Sequence, residues 1–217
     1  MLDSRKRRSF SALATVVLIS LCVTIAHTAL MAQSTASSAA KSKSWLDSNP
    51  APNWNQPGQA LPRPIVEDDS NLWRCGEQIR LTSKNKADQA VIAAGWKLIG
   101  PLHLFENVRV ILGTSGFDGM CRPMGYQGFV FEGSKFAGTL APAPMDSRED
   151  GDLSHLQFPK LASIVASYKR YRESDPRCCP SSSSYVEYKI ETRDGMPVLT
   201  PVTVNTSSNP GTPPEKP

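Results

Sequence analysis

Residues able to do acid–base or metal chemistry concentrate between Asp146 and His155. Asp146, Glu149, Asp150 and Asp152 fall within seven residues, with Arg148 among them. Clustered carboxylates offer oxygen ligands to Ca²⁺, but an EF-hand loop wants Asp or Asn at its third position, where this loop has Arg148. The reading is therefore a solvated loop with an internal Arg–carboxylate pair, and no metal. A hydrolase needs a nucleophile, a base and an orienting group. His155 lies close to the loop in sequence and His103 lies in a predicted strand, yet no serine sits in a G-x-S-x-G context. No catalytic residue is assigned. The glycine-punctuated stretch 114–119 lacks a P-loop lysine, so no phosphate cradle and no cofactor is expected.

The cysteines are the second group with chemistry. Cys22 lies in an N-terminal apolar run, which leaves Cys75, Cys121, Cys178 and Cys179. In an exported chain four cysteines imply two disulfides with three connectivities. A bond between neighbours closes a small ring, so Cys178 and Cys179 are each expected to bond to one of Cys75 and Cys121, in either order. Redox chemistry is disfavoured because the C-x-x-C spacing is missing.

Export is legible at the N-terminus. Arg5, Lys6, Arg7 and Arg8 precede an apolar run from Phe10 that ends at Leu30-Met31-Ala32. This is the order of a secretory signal, with Ala32 before the cleavage point. Left uncleaved, residues 10–32 are long enough to anchor the chain in a membrane with the body outside. Arg7-Arg8-Ser9-Phe10 matches a twin-arginine signal only in part, and the bulky Leu21 before Cys22 departs from a lipidation signal. The formal charge of +4 belongs mainly to this segment: residues 1–32 carry +3 and the remainder +1. The body thus has no electrostatic case for binding nucleic acid.

The elements that must position these residues follow from periodicity and punctuation. Residues 33–70 are rich in Ser, Ala, Pro, Asn and Gln and read as a disordered linker. Trp45 and Trp54 are its exceptions, either docked as isolated anchors or exposed. The domain is expected over 71–204. A short helix is predicted over 84–94, with Ser83 as N-cap and Gly95 as stop. Val108, Val110 and Leu112 share one strand face after a turn at Glu106-Asn107. Gly133-Ser134 joins two strands of a hairpin, with Phe129 and Phe131 on one face and Val130 on the other. The hairpin's outer face over residues 129–140, and a groove above Gly138, are candidate binding surfaces. Leu161, Ile164, Val165, Tyr168 and Tyr171 follow helical spacing after Pro159 and predict an amphipathic helix. Tyr185 to Ile190 alternates as a strand, Asp194-Gly195 is a hairpin turn, and Pro197 and Pro201 place the returning strand at an edge. Residues 205–217 read as a disordered tail. The expected class is α+β: a single small domain of antiparallel hairpins on one or two helices, stapled by disulfides.

With these residues in view, the string FVFEGSKFAGTLAPAPMDSREDG, the following DPRCCPS and the V-x-Y strand resemble the LppP/LprE lipoproteins, an exported bacterial family of mycobacterial type. The likeness covers about residues 71–192. It implies an exported protein of the periplasm, cell envelope or exterior, and it carries no catalytic mechanism. The function expected is a non-enzymatic module that binds an envelope protein, glycan or lipid through Asp146, Arg148, Glu149, Asp150 and Asp152. The alternative is a small envelope hydrolase using those acids with His155.

Overall fold

A computed structural model describes residues 43–65 and 71–210. The signal segment, Cys22 and the Ala32 cleavage point lie outside the described residues, as do 33–42, 66–70 and 211–217.

The described residues form ten strands: β1 (Lys97–Phe105), β2 (Val108–Thr114), β3 (Gly116–Phe117), β4 (Pro123–Met124), β5 (Gln127–Glu132), β6 (Lys135–Thr139), β7 (Leu153–Lys160), β8 (Ser163–Arg170), β9 (Ser182–Arg193) and β10 (Met196–Ser208). They form two four-stranded antiparallel sheets, ordered β1-β2-β5-β6 and β10-β9-β8-β7, and a short β3-β4 ribbon. The helices are short: α1 (Leu72–Cys75), α2 (Lys86–Ala93) and single 3-10 turns at Trp45–Asp47 and Gly76–Gln78. The protein is therefore richer in sheet than the expected helix–hairpin mixture.

Period-two sequences dictate this layering. Val108, Val110 and Val130 of the first sheet meet Ile164, Ala166, Tyr168, Val186, Tyr188 and Leu199 of the second in one core. The alternate residues Ile111, Phe129 and Phe131 face the other way and pack with Ala87 and Val91 of α2 and with Trp96. The 129–140 hairpin is thus buried on both faces, which corrects its reading as an exposed binding surface. Its Gly133-Ser134 turn is as expected, as are those at Glu106-Asn107 and Asp194-Gly195, where Glu106, Gly133, Asp194 and Gly195 take left-handed backbone.

The helix predicted after Pro159 is instead the hairpin of β7 and β8. Ile164, Val165 and Tyr168 suit a 3.6 period, but Ala166 lies between them, and Ile164, Ala166 and Tyr168 at period two supply a continuous buried row. Left-handed Ala162 makes the turn. Pro159, which has no N–H to donate, falls in β7 at the sheet edge, where none is required. Pro197 and Pro201 lie in β10, the opposite edge, as expected.

The largest departure concerns residues 43–65. Leu46, Ala51 and Asn55 are buried, and Trp45 and Trp54 pack edge-to-face on each other and on Tyr168 and Tyr188. This stretch forms a strap along the two sheet edges β6 and β10. Asn55 holds both: its amide donates to Thr139 O and Leu199 O, each at 3.1 Å, and its Oδ1 accepts from Thr139 N at 2.9 Å. Trp54 Nε1 adds a bond to Thr139 O at 3.1 Å, and Asn49 Oδ1 accepts from Val204 N at 3.0 Å. Unpaired edge groups of both sheets are thereby satisfied by side chains of a segment whose composition reads as linker. Residues 205–208, read as tail, continue β10 and pair with 182–185.

The disulfides also differ from expectation. Cys75 bonds to Cys121 across a Cα–Cα distance of 5.2 Å, and Cys178 bonds to Cys179. With Cys75 and Cys121 bonded to each other, Cys178 and Cys179 have only one another among the described residues. The Cys75–Cys121 link closes 46 residues, which in the chain-entropy account contributes about 4 kcal/mol.

Helix α2 begins at N-cap Asn85, whose side chain accepts from Asp88 N, and not at Ser83. Arg80 clamps the buried Asp88 carboxylate through two bonds of 2.6 and 2.9 Å, and Lys84 N donates to it at 2.8 Å. Burial pushes this carboxyl up, but the Arg80 hydrogen bonds, the Lys84 N–H and their charges outweigh it and hold it below its ordinary value of 3.8. A depressed folded value stabilises the protein above about pH 4 and ceases to do so as pH falls through that folded value. Stability is therefore expected to drop on acidification below about pH 4. An Asp88→Asn variant, measured by urea unfolding across pH, should be less stable at neutral pH and show a flatter acid limb.

Candidate binding groove

A groove lies where the strap meets the end of the second sheet. It has a volume of about 510 Å³, and its walls include Asp47, Asn49, Asp150, Arg170, Tyr171 and Thr206. Local sequence builds each wall. Ser44 and Asp47 make a capping box around the Trp45–Asp47 turn, and the buried Leu46 pins it. β8 ends at Arg170, and β9 and β10 bring Ser182 and Thr206 alongside.

Arg170 organises the electrostatics. Its Nε donates to Asp150 Oδ1 at 2.9 Å, its Nη2 to Asp47 Oδ1 at 2.7 Å, and another guanidinium nitrogen to Ser184 Oγ at 3.1 Å. Tyr171 N donates to the same Asp150 oxygen at 2.9 Å. Burial pushes the Asp47 carboxyl up, and Arg170 with Ser44 N more than reverses it, leaving it below the ordinary range. Burial alone would lower Arg170; the two carboxylates overcome that and raise it. The groove thus presents carboxylates and a guanidinium side by side, with hydroxyl and amide groups from Ser48, Asn49, Ser182 and Thr206 around them.

The five loop residues singled out in the sequence separate in space by role. Asp146 Oδ1 accepts from Gly125 N at 2.6 Å. Arg148 is left-handed and donates its backbone N–H to Asp152 at 3.0 Å. Glu149 lies 3.8 Å from Arg177 at the exposed surface. Asp152 is buried and accepts from Tyr126 OH at 2.5 Å and Lys169 Nζ at 2.7 Å. Only Asp150 enters the groove. The carboxylates thus pair with Lys169, Arg170 and Arg177, not with an arginine inside the loop as expected. His155 lines a different cavity, so the acids and the histidine of the hydrolase reading do not assemble. The space over Gly138 is filled by Asn55, whose Cγ would lie 2.3 Å from an added Cβ. Asp47, Asn49, Arg170 and Tyr171 were not singled out from the sequence as site residues. The signal available was the Ser44-x-x-Asp47 capping pattern inside the supposed linker. Among the described residues no helix is long and apolar enough to cross a membrane, and no cluster of three or more His, Cys, Asp or Glu could hold a metal.

The model of the family described as LppP/LprE lipoprotein matches residues 102–193. The match takes in β2 to β9 and the Asp150–Arg170 wall of the groove, whereas the strap and β10 lie beyond it. No curated protein matches the chain, and no solved structure does. Over residues 102–193 the chain is thus similar to the LppP/LprE lipoprotein family.

Proposed function

We propose that this protein is an exported, envelope-associated binding module without catalytic activity, and that it takes a hydroxyl-rich glycan in the Asp47–Arg170–Asp150 groove. The observation that carries this reading is the groove's lining. Carboxylates, a guanidinium, hydroxyls and an amide surround Tyr171, with little apolar wall to hold a lipid chain. A volume near 510 Å³ suits a short saccharide. Ion pairs already formed in the groove offer donors and acceptors to hydroxyl groups without being reordered on binding. The family match supports export and envelope association, and the structural commitments of Asp146 and Asp152 argue against acid–base work in the loop.

Titration of the full exported chain with soluble envelope polysaccharide fragments tests this, followed by NMR. Shifts are expected at residues 47–49, 150, 170–172 and 206. Asp150→Asn and Tyr171→Ala should each weaken binding about tenfold, 1.4 kcal/mol, while leaving the fold intact. Shifts confined to other surfaces, or wild-type affinity in both variants, would overturn the assignment.

A further inference from the structure

The chain has three histidines, of which His27 lies in the N-terminal segment. The other two, His103 and His155, come from different sheets and line the same small cavity. β1 carrying His103 is the edge of the first sheet, and β7 carrying His155 is the edge of the second. A further contact spans the same seam: the rings of Phe105 and Phe158 stack with centroids 6.0 Å apart. The cavity, about 120 Å³, is completed by Leu112, Leu153, Ser154 and Leu156. Ser154 Oγ already donates to Ser167 O. The histidines therefore supply the nitrogen donors of a pocket otherwise walled mostly by leucine.

We propose that His103 and His155 form a two-imidazole site for a divalent transition metal, with Cu²⁺ the preferred ion, clipping the free edges of the two sheets together. Neutral imidazole is a good ligand for Cu²⁺, Ni²⁺ and Zn²⁺, and at a given site of nitrogen donors Cu²⁺ binds most tightly. His155 is exposed and His103 half-buried, so the site opens to solvent, which completes the coordination shell. The leucines give it an apolar back wall. The site is independent of the groove and of its ligand.

The test is titration of the full exported chain with CuCl₂ in a non-coordinating buffer at about pH 7, read by calorimetry and by electron paramagnetic resonance. One Cu²⁺ per chain with hyperfine coupling from two imidazole nitrogens is expected, with Zn²⁺ binding more weakly. His103→Gln and His155→Gln should each weaken Cu²⁺ binding at least about tenfold. Bound Cu²⁺ should raise the unfolding midpoint of the wild type but not of either variant. His155 is exposed, so its variant keeps the fold even if His103→Gln does not. Unchanged Cu²⁺ affinity in His155→Gln, or a spectrum without two-imidazole coupling, would overturn the proposal.

Discussion

Replacing Asn55 by alanine is expected to destabilise the protein by about 3–5 kcal/mol, because each buried polar group left unpaired costs roughly 1–3 kcal/mol. Asn55 is 1% exposed, and its truncation strips a partner from Thr139 N, Thr139 O and Leu199 O at once. Thr139 O keeps Trp54 Nε1, which moderates the loss. For a chain of this size that corresponds to a fall in unfolding midpoint of roughly 6–20 °C. Asn55→Asp should be at least as damaging. It retains the acceptor for Thr139 N but turns a charged carboxylate toward two carbonyls. Gly138→Ala should approach the same effect from the other side. Its Cβ would collide with the Asn55 side chain, and its φ of +145° disfavours any side chain. The double variant should be less unstable than the sum of the singles, since removing Asn55 frees the space while the backbone strain remains. Urea unfolding of the four chains measures all of this. Full additivity would contradict the contact.

Asp152→Ala carries the second large effect, about 3–4 kcal/mol, from removing a buried charge that holds three donors. Tyr126 OH, Lys169 Nζ and Arg148 N all converge on its carboxylate. Tyr126 OH in turn accepts from Leu153 N at 2.7 Å, so the network ties β7 to the start of β5. Burial, then the Asp152 charge and hydrogen bond, pushes the Tyr126 hydroxyl far above its ordinary value of 10.0, and it stays a donor at every workable pH. Asp152→Asn keeps the volume but loses the Lys169 charge pair and should cost about half as much. If Asp152 were instead a hydrolytic acid, its loss would abolish turnover with stability unchanged. An Asp152→Ala chain as stable as the parent would contradict the structural role.

What could be read from the sequence was whatever short-range chemistry decides. The turns at Glu106-Asn107, Gly133-Ser134 and Asp194-Gly195 were legible because their residues suit tight, partly left-handed backbone. The opposed faces of Phe129 and Val130 were legible from period two. β8 was not, because Ile164, Val165 and Tyr168 fit a helix as well as a strand, and only its neighbours β7 and β9 decide between them. The strap was hidden for a different reason. Ser, Pro and Asn dominate its composition, yet Leu46, Trp54 and Asn55 find partners more than 80 residues away, which no local window contains. The groove inherits that blindness: Asp150 was legible as part of an acidic cluster, but Asp47 enters only once the strap is folded back.

The strap therefore stands at the centre of both fold and site, although it lies outside the family match. Hydrogen exchange of the full chain, followed by mass spectrometry, examines it most directly. Thr139 N and Val204 N are held by Asn55 and Asn49 of the strap, at free edges of the two sheets. Peptides covering 44–59, 136–140 and 202–206 should be protected together, and Asn55→Ala should release all three while 108–112 stays protected. Exchange of 44–59 at the rate of an unfolded chain, with 136–140 and 202–206 still protected, would contradict the account.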